Sequence, residues 1–81
     1  MNKRKEKIDI YVIENVKKRR KKLNLTQEQL ADEVGFSCTF ISERESGNKR
    51  YNLSHLNKLA IVLKCSPKDF LPTEPFKEGS K

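Results

Sequence analysis

Between Thr26 and Gly47 the chain starts and stops a helix twice in quick succession, and no other feature narrows its fold as much. Thr26 can cap a helix whose third position, Gln29, can return a side-chain bond to the Thr26 N–H, a capping box. Leu25 before that cap and Leu30 after it match a hydrophobic staple. Leu30, Ala31 and Val34 supply a buried edge, and Gly35 ends the helix in a tight turn because it lacks a Cβ. Ser37 opens the next helix, expected to run to about Glu45 with Phe40 and Ile41 available for packing, and Gly47 closes it. A helix of only about two turns does not survive alone. The pair must therefore pack on each other and on longer neighbours. Small Ala31 permits a close crossing, Ile41 points back into the core, and the outer face of the second helix stays free to enter a groove.

The flanking segments supply those neighbours. A first helix is expected from about Asp9 to Lys22, capped by Asp9, with Val12 or Ile13, Val16 and Leu23 as its apolar stripe. Asn24 suits the left-handed residue that ends many helices. Asn52 reads as the cap of a fourth helix, apolar at Leu53, Leu56, Leu59, Ala60 and Leu63. Ser66-Pro67-Lys68-Asp69 is a further start, with a cap, a proline at the first position and an acid three residues on. It predicts a short fifth helix carrying Phe70 and Leu71, which Pro72 and Pro75 stop. The expected fold class is all-α, a compact arrangement of five short helices without strands. Residues 1–8 read as a flexible basic arm, 9–71 as the helical domain and 72–81 as a flexible tail.

Composition excludes much else. At 81 residues there is room for one small domain. A hydrophobic share of 35% makes its core modest, so a second subunit would help it. The net charge of +7 is unevenly placed: residues 1–22 hold ten basic and three acidic side chains, and residues 23–81 hold eight of each. Such a start attracts phosphates; it is also what a well-solvated terminus looks like. Cys38 and Cys65 form no CxxC pair and have no histidine cluster, so no zinc is expected, and a reducing cytoplasm suits them. No apolar run approaches the roughly 18 residues that span a bilayer. Glycine-rich phosphate loops, EF-hand loops and metalloprotease motifs are absent, and no cofactor or small-molecule ligand is expected. His55, the single histidine, has no nucleophile or oriented base beside it in the pattern, which argues against an enzyme and for an idle surface residue.

Several stretches together resemble the Cro/C1-type helix-turn-helix family, that of the phage lambda and 434 repressors. They are LTQEQLADEVG from Leu25 to Gly35, Ile41-Ser42, Glu45-Ser46-Gly47 and LSHLNKLAIVLKCSPKDFL from Leu53 to Leu71, with Asn15-Val16 and Arg20. The resemblance implies a lambda-repressor-like DNA-binding domain and a transcriptional regulator that occupies operator DNA. Controller proteins of restriction–modification systems are similar in size and fold. It also implies that Gln27 holds a phosphate and steadies the next helix. Ser37, Cys38, Thr39 and Ser42 fall where the recognition helix meets DNA, with Cys38, Thr39 and Glu43 closest to the bases. Arg20, Lys49, Arg50 and Asn52 match positions near the DNA backbone.

Single residues within this frame admit two readings. Thr39 could touch a thymine methyl or a base edge, or simply face solvent. Glu43 can accept from cytosine N4, or repel phosphate and pair with Arg44 or Lys49. Cys38 offers either a small apolar contact or a redox-sensitive thiol, Phe40 packs on the domain or flanks the duplex, and Ser37 is a cap in either case. Arg44 and Arg19 depart from the family, which usually has apolar or aromatic residues there; their stems could cover apolar surface while the charges reach water. Thr26 to Glu45 carries five acids and one base, so the attraction to DNA must come from elsewhere. One module this small discriminates poorly, which favours a homodimer reading an inverted repeat in double-stranded DNA. Ile61, Val62, Cys65, Phe70 and Phe76 are the candidate subunit contact, a better-filled monomer core being the other use for them. An antitoxin-like protein-interaction module with secondary DNA binding is the alternative function.

Overall fold

The structure is a computed structural model and describes residues 6–77. Its first helix, α1, spans Lys7–Lys22, two residues earlier than expected. Glu6 takes the cap position and Asp9 becomes its partner, accepting from the Glu6 N–H at 3.1 Å. Lys7 and Ile8 therefore belong to α1, and the remaining arm, residues 1–5, lies outside the described residues, as do residues 78–81 of the expected tail.

Three more α-helices follow: α2 at Gln27–Val34, α3 at Cys38–Glu45 and α4 at Leu53–Leu63. The Thr26 box closes from both sides, with Gln29 N–H donating to Thr26 Oγ1 at 3.0 Å and Thr26 N–H to Gln29 Oε1 at 2.9 Å. Gly35 sits at φ +90° with open space where a Cβ would be, so the backbone conformation, not crowding, demands glycine. Asn24 takes its expected left-handed turn at φ 62°, and Lys64, which nothing in the sequence singled out, does the same at φ 61° after α4.

The expected fifth helix does not form. Pro67–Phe70 is one 3-10 turn, so the described residues hold four α-helices and this turn, not five helices. The start signal was sound, since Ser66 and Asp69 close a capping box. Its failure to propagate is Pro72's doing: a proline disfavours the helical conformation of the residue before it, and Leu71 is extended at φ −103° and ψ 153°.

One core joins all the elements. Val12, Ile13 and Val16 of α1 meet Leu30 and Ala31 of α2, Ile41 of α3, Leu56, Leu59 and Leu63 of α4, and Phe70 of the 3-10 turn. Leu30, Ile41, Leu59, Leu63 and Phe70 are at most 1% exposed, and each large side chain buried this fully contributes about 1.5–3 kcal/mol. That shared burial holds α2 and α3, which isolation would unwind. Arg19 adds a tie, donating from Nε to the Leu63 carbonyl at 3.0 Å and from Nη2 to the Lys64 carbonyl at 2.9 Å. It places a cation on the orphan carbonyls at the negative end of α4. No helix among the described residues is long and apolar enough to cross a membrane.

Candidate nucleic-acid interface

Ser37 sets the start of α3, its Oγ accepting from the Phe40 N–H at 3.0 Å. Helical periodicity then splits the following residues between two faces. Ile41 is fully buried, while Ser37, Cys38, Thr39 and Ser42 are all exposed and Glu43 is half-buried at their edge. Together they form an exposed polar face of α3, with N–H groups of the first turn at one end.

The inner side explains how α3 is held. Phe40 packs on Phe36 at 4.3 Å and edge-on to His55 at 4.8 Å, so its ring serves the domain. Arg44 lays its guanidinium 3.5 Å above that ring, with its charged end 3.7 Å from Glu43 Oε1. The departure from an apolar residue is thus accommodated as a stacked lid. Tyr51 lies buried behind these groups, its Oη without a hydrogen-bond partner, and burial pushes its phenol above the usual range. His55 is not idle. Its backbone N–H donates to Asn52 Oδ1 at 2.8 Å, and its Nδ1 accepts the Asn52 N–H at 3.0 Å. Partial burial, then Arg44 and Lys58, hold its pKa below the ordinary value.

Arg20, which resemblance put near the DNA backbone, is 8% exposed and clamps Glu45 through Nε at 2.7 Å and Nη2 at 2.9 Å. Its third nitrogen, Nη1, donates to the Leu25 carbonyl at the entry to α2. Gln27 reaches the same carboxylate, Nε2 to Glu45 Oε1 at 3.0 Å. Burial alone would raise the Glu45 carboxyl, but hydrogen bonds from Arg20 and Gln27 outweigh it and leave it below its ordinary value. One carboxylate at the end of α3 therefore fixes α1 and the first residue of α2, and Gln27 has a steadying bond to the next helix. The signal for this pair was weak in sequence, because an Arg and a Glu 25 positions apart read as two surface charges.

The remaining candidates divide. Lys49 is exposed on the loop after α3, whereas Arg50 leans back to Asp9 of α1 at 3.6 Å. Asn52 is exposed and caps α4. Among the subunit-contact candidates, Ile61 is 72% exposed, and Val62 and Cys65 are half-buried against the core. Phe70, at 1% exposure, is enclosed by the monomer's own core, and Phe76 turns its ring to Tyr11 at 5.6 Å. Leu53, 77% exposed at the start of α4, is a large apolar group that the sequence reading assigned to the core stripe. Cys38 and Cys65 are free thiols, and no cluster of His, Cys, Asp or Glu among the described residues could hold a metal.

The chain is similar to the control protein C.BamHI of Bacillus amyloliquefaciens, 38% identical over 50 residues that cover 62% of each protein. It is also similar to the cryptic phage CTXphi transcriptional repressor RstR of Vibrio cholerae, 40% identical over 53 residues, 65% of this chain and 47% of the relative. The chain thus spans less than two thirds of either relative's length. Its fold matches the crystal structure of the hypothetical transcription factor NHTF from Neisseria at a TM-score of 0.77 and 22% identity, covering 89% of this chain and 85% of that one. The helix-turn-helix family HTH_3 matches residues 16–70, a span that holds α2, α3 and their supports, and the chain belongs to this Cro/C1-like family.

Proposed function

We propose that the chain is a sequence-specific DNA-binding transcriptional regulator that occupies operator DNA as a homodimer. The observation that carries this reading is the exposed face of α3, where Cys38, Thr39 and Ser42 stand outward on a helix held rigidly from behind. Short polar side chains on such a face can enter a major groove and meet base edges, while Gln27 and Lys49 flank it for phosphates. Thr39 and Glu43 are the base-reading residues, with Cys38 as a small neighbour. Two relatives named for transcriptional repression and for control support regulation as the outcome of binding. A reducing cytoplasm suits this role, since both cysteines, Cys38 and Cys65, are free thiols.

Pairing supplies the discrimination that one module lacks. Ile61 is the exposed apolar anchor, with Val62 beside it on the last turn of α4, Cys65 just past the Lys64 cap and Phe76 as an outlying contact. Selection of bound sequences from a random duplex pool is the test. The expected product is an inverted repeat with half-sites one helical turn apart, which Thr39→Ala and Glu43→Gln relax at specific positions. Recovery of unrelated sequences, or unchanged preference in both variants, overturns the reading. Light scattering on the DNA complex is expected to give two chains per duplex, and one chain overturns the homodimer.

A further inference from the structure

Of the cations expected to meet phosphate, Arg20 is drawn inward and Arg50 is paired at the surface. Arg20 is enclosed against Glu45 and Leu25, and Arg50 leans on Asp9. The segment from Thr26 to Glu45 contributes five acids against one base. A duplex brought to α3 therefore needs positive charge from a neighbouring element, and α1 has a lysine-rich second half.

Its lysines are not equivalent. Successive residues turn by about 100° around a helix. Arg19 faces the end of α4, and Arg20 faces α3 and the entry to α2. Continuing round in the same sense, Lys17 and Lys21 come next, one turn apart on a single stripe beside Arg20. Lys18 and Lys22 follow on the far stripe, where they line a concavity of about 190 Å³ with Asn15, Arg19 and Asp69. Lys17 is half-buried, Lys21 exposed, and the charge of Lys17 acts on the Glu45 carboxylate. The first stripe therefore borders the junction of Arg20, Glu45 and Gln27, whereas the second belongs to the side of the 3-10 turn.

We propose that Lys17 and Lys21 form a phosphate clamp on α1, gripping the backbone of the same duplex that α3 reads, on the flank next to Gln27. The inference rests on the DNA-binding reading above. Lys49 on the loop after α3 supplies the other grip, so the acidic helix pair is presented to DNA between two cationic contacts.

The test compares two double variants of equal charge, Lys17→Gln/Lys21→Gln and Lys18→Gln/Lys22→Gln. Each is titrated from 50 to 200 mM salt by fluorescence anisotropy against a duplex recovered by selection and against a random duplex. Loss of two phosphate contacts lowers the slope of log affinity against log salt by about 1.8, equivalent to about 12-fold less salt sensitivity across that range. That drop is expected for the Lys17/Lys21 variant on both duplexes, with a change below about 0.5 for Lys18/Lys22. Lys17→Arg/Lys21→Arg is expected to keep the slope, and circular dichroism to stay unchanged throughout. Equal drops in both pairs reduce the effect to overall charge and overturn the clamp, as does an unchanged slope for Lys17/Lys21. Failure of the unsubstituted chain to bind any duplex overturns the DNA-binding reading itself, and the clamp with it.

Discussion

Replacing Arg20 by Met isolates the junction that holds α3. The side chains of Arg20 and Glu45 are only 9% and 2% exposed, so water cannot rescue either charge when its partner is removed. The variant leaves Glu45 with the Gln27 bond alone and strips the Leu25 carbonyl of its donor. Removing one partner of a buried pair costs about 3–5 kcal/mol. The low end of that range applies, because Gln27 still holds the carboxylate and protonation offers an escape. A domain of this size has roughly 4–12 kcal/mol in total, so a loss of about 3 kcal/mol lowers its melting temperature by about 12–24 °C. Glu45→Leu is expected to cost a similar amount by stranding Arg20. The double variant Arg20→Met/Glu45→Leu is expected to lie within about 1 kcal/mol of the unsubstituted chain, since two apolar side chains fill the space without a desolvated charge. Urea unfolding followed by circular dichroism measures all four corners of this cycle. Single losses below about 1 kcal/mol that simply add in the double variant would refute the account. An independent check uses pH. The folded Glu45 carboxyl lies below its ordinary value of 4.5, so the pair's contribution is complete above that pH and disappears as pH falls through the folded value. The double variant is expected to lack this acid-dependent component.

Two further outcomes follow from local geometry. Lys64 ends α4 with φ 61°, a conformation that costs a side-chain-bearing residue about 1 kcal/mol, so Lys64→Gly is expected to raise stability by about 0.5–1 kcal/mol in urea unfolding; Arg19 keeps its bonds there because they go to backbone carbonyls. His55 has a folded pKa below its ordinary 6.5 through burial, Arg44 and Lys58, so the unfolded chain takes up its proton first. Its contribution is therefore complete above about pH 6.5 and is lost as pH falls toward the folded value. His55→Asn is expected to flatten this part of the stability–pH profile, and a profile unchanged by the substitution would remove His55 from the account.

Local chemistry was readable where it could act alone. Thr26 with Gln29, Gly35, Asn24 and Asn52 announce their turns and caps through bonds spanning three or four residues, and the structure holds each as expected. The periodic positions of α4 likewise foretold its buried face, apart from Leu53 at its exposed first position. What sequence concealed depends on partners brought from a distance or on competition between signals. Arg20 became a buried strut because Glu45 arrives from another helix. Phe70 was offered to a partner subunit, yet it fills the space beneath α1, whose Asn15 donates to the Phe70 carbonyl at 3.2 Å. At Ser66 two legible instructions conflicted, a helix start and the proline six residues later, and only the fold shows which prevailed. The stack of Arg44 on Phe40 left a trace, since residues four apart on a helix share a face.

The meeting of three helices at the Glu45 carboxylate bears on how such a protein can diversify. Apart from the Ser37 cap, the bonds that fix the pose of α3 come from its inward side, whereas the side chains of Cys38, Thr39 and Ser42 stand outward. Those outward positions can be rewritten freely while the scaffold keeps its stability. On the DNA-binding reading proposed above, a lineage acquires new target sites by point changes on that one surface, without retuning the frame that aims it.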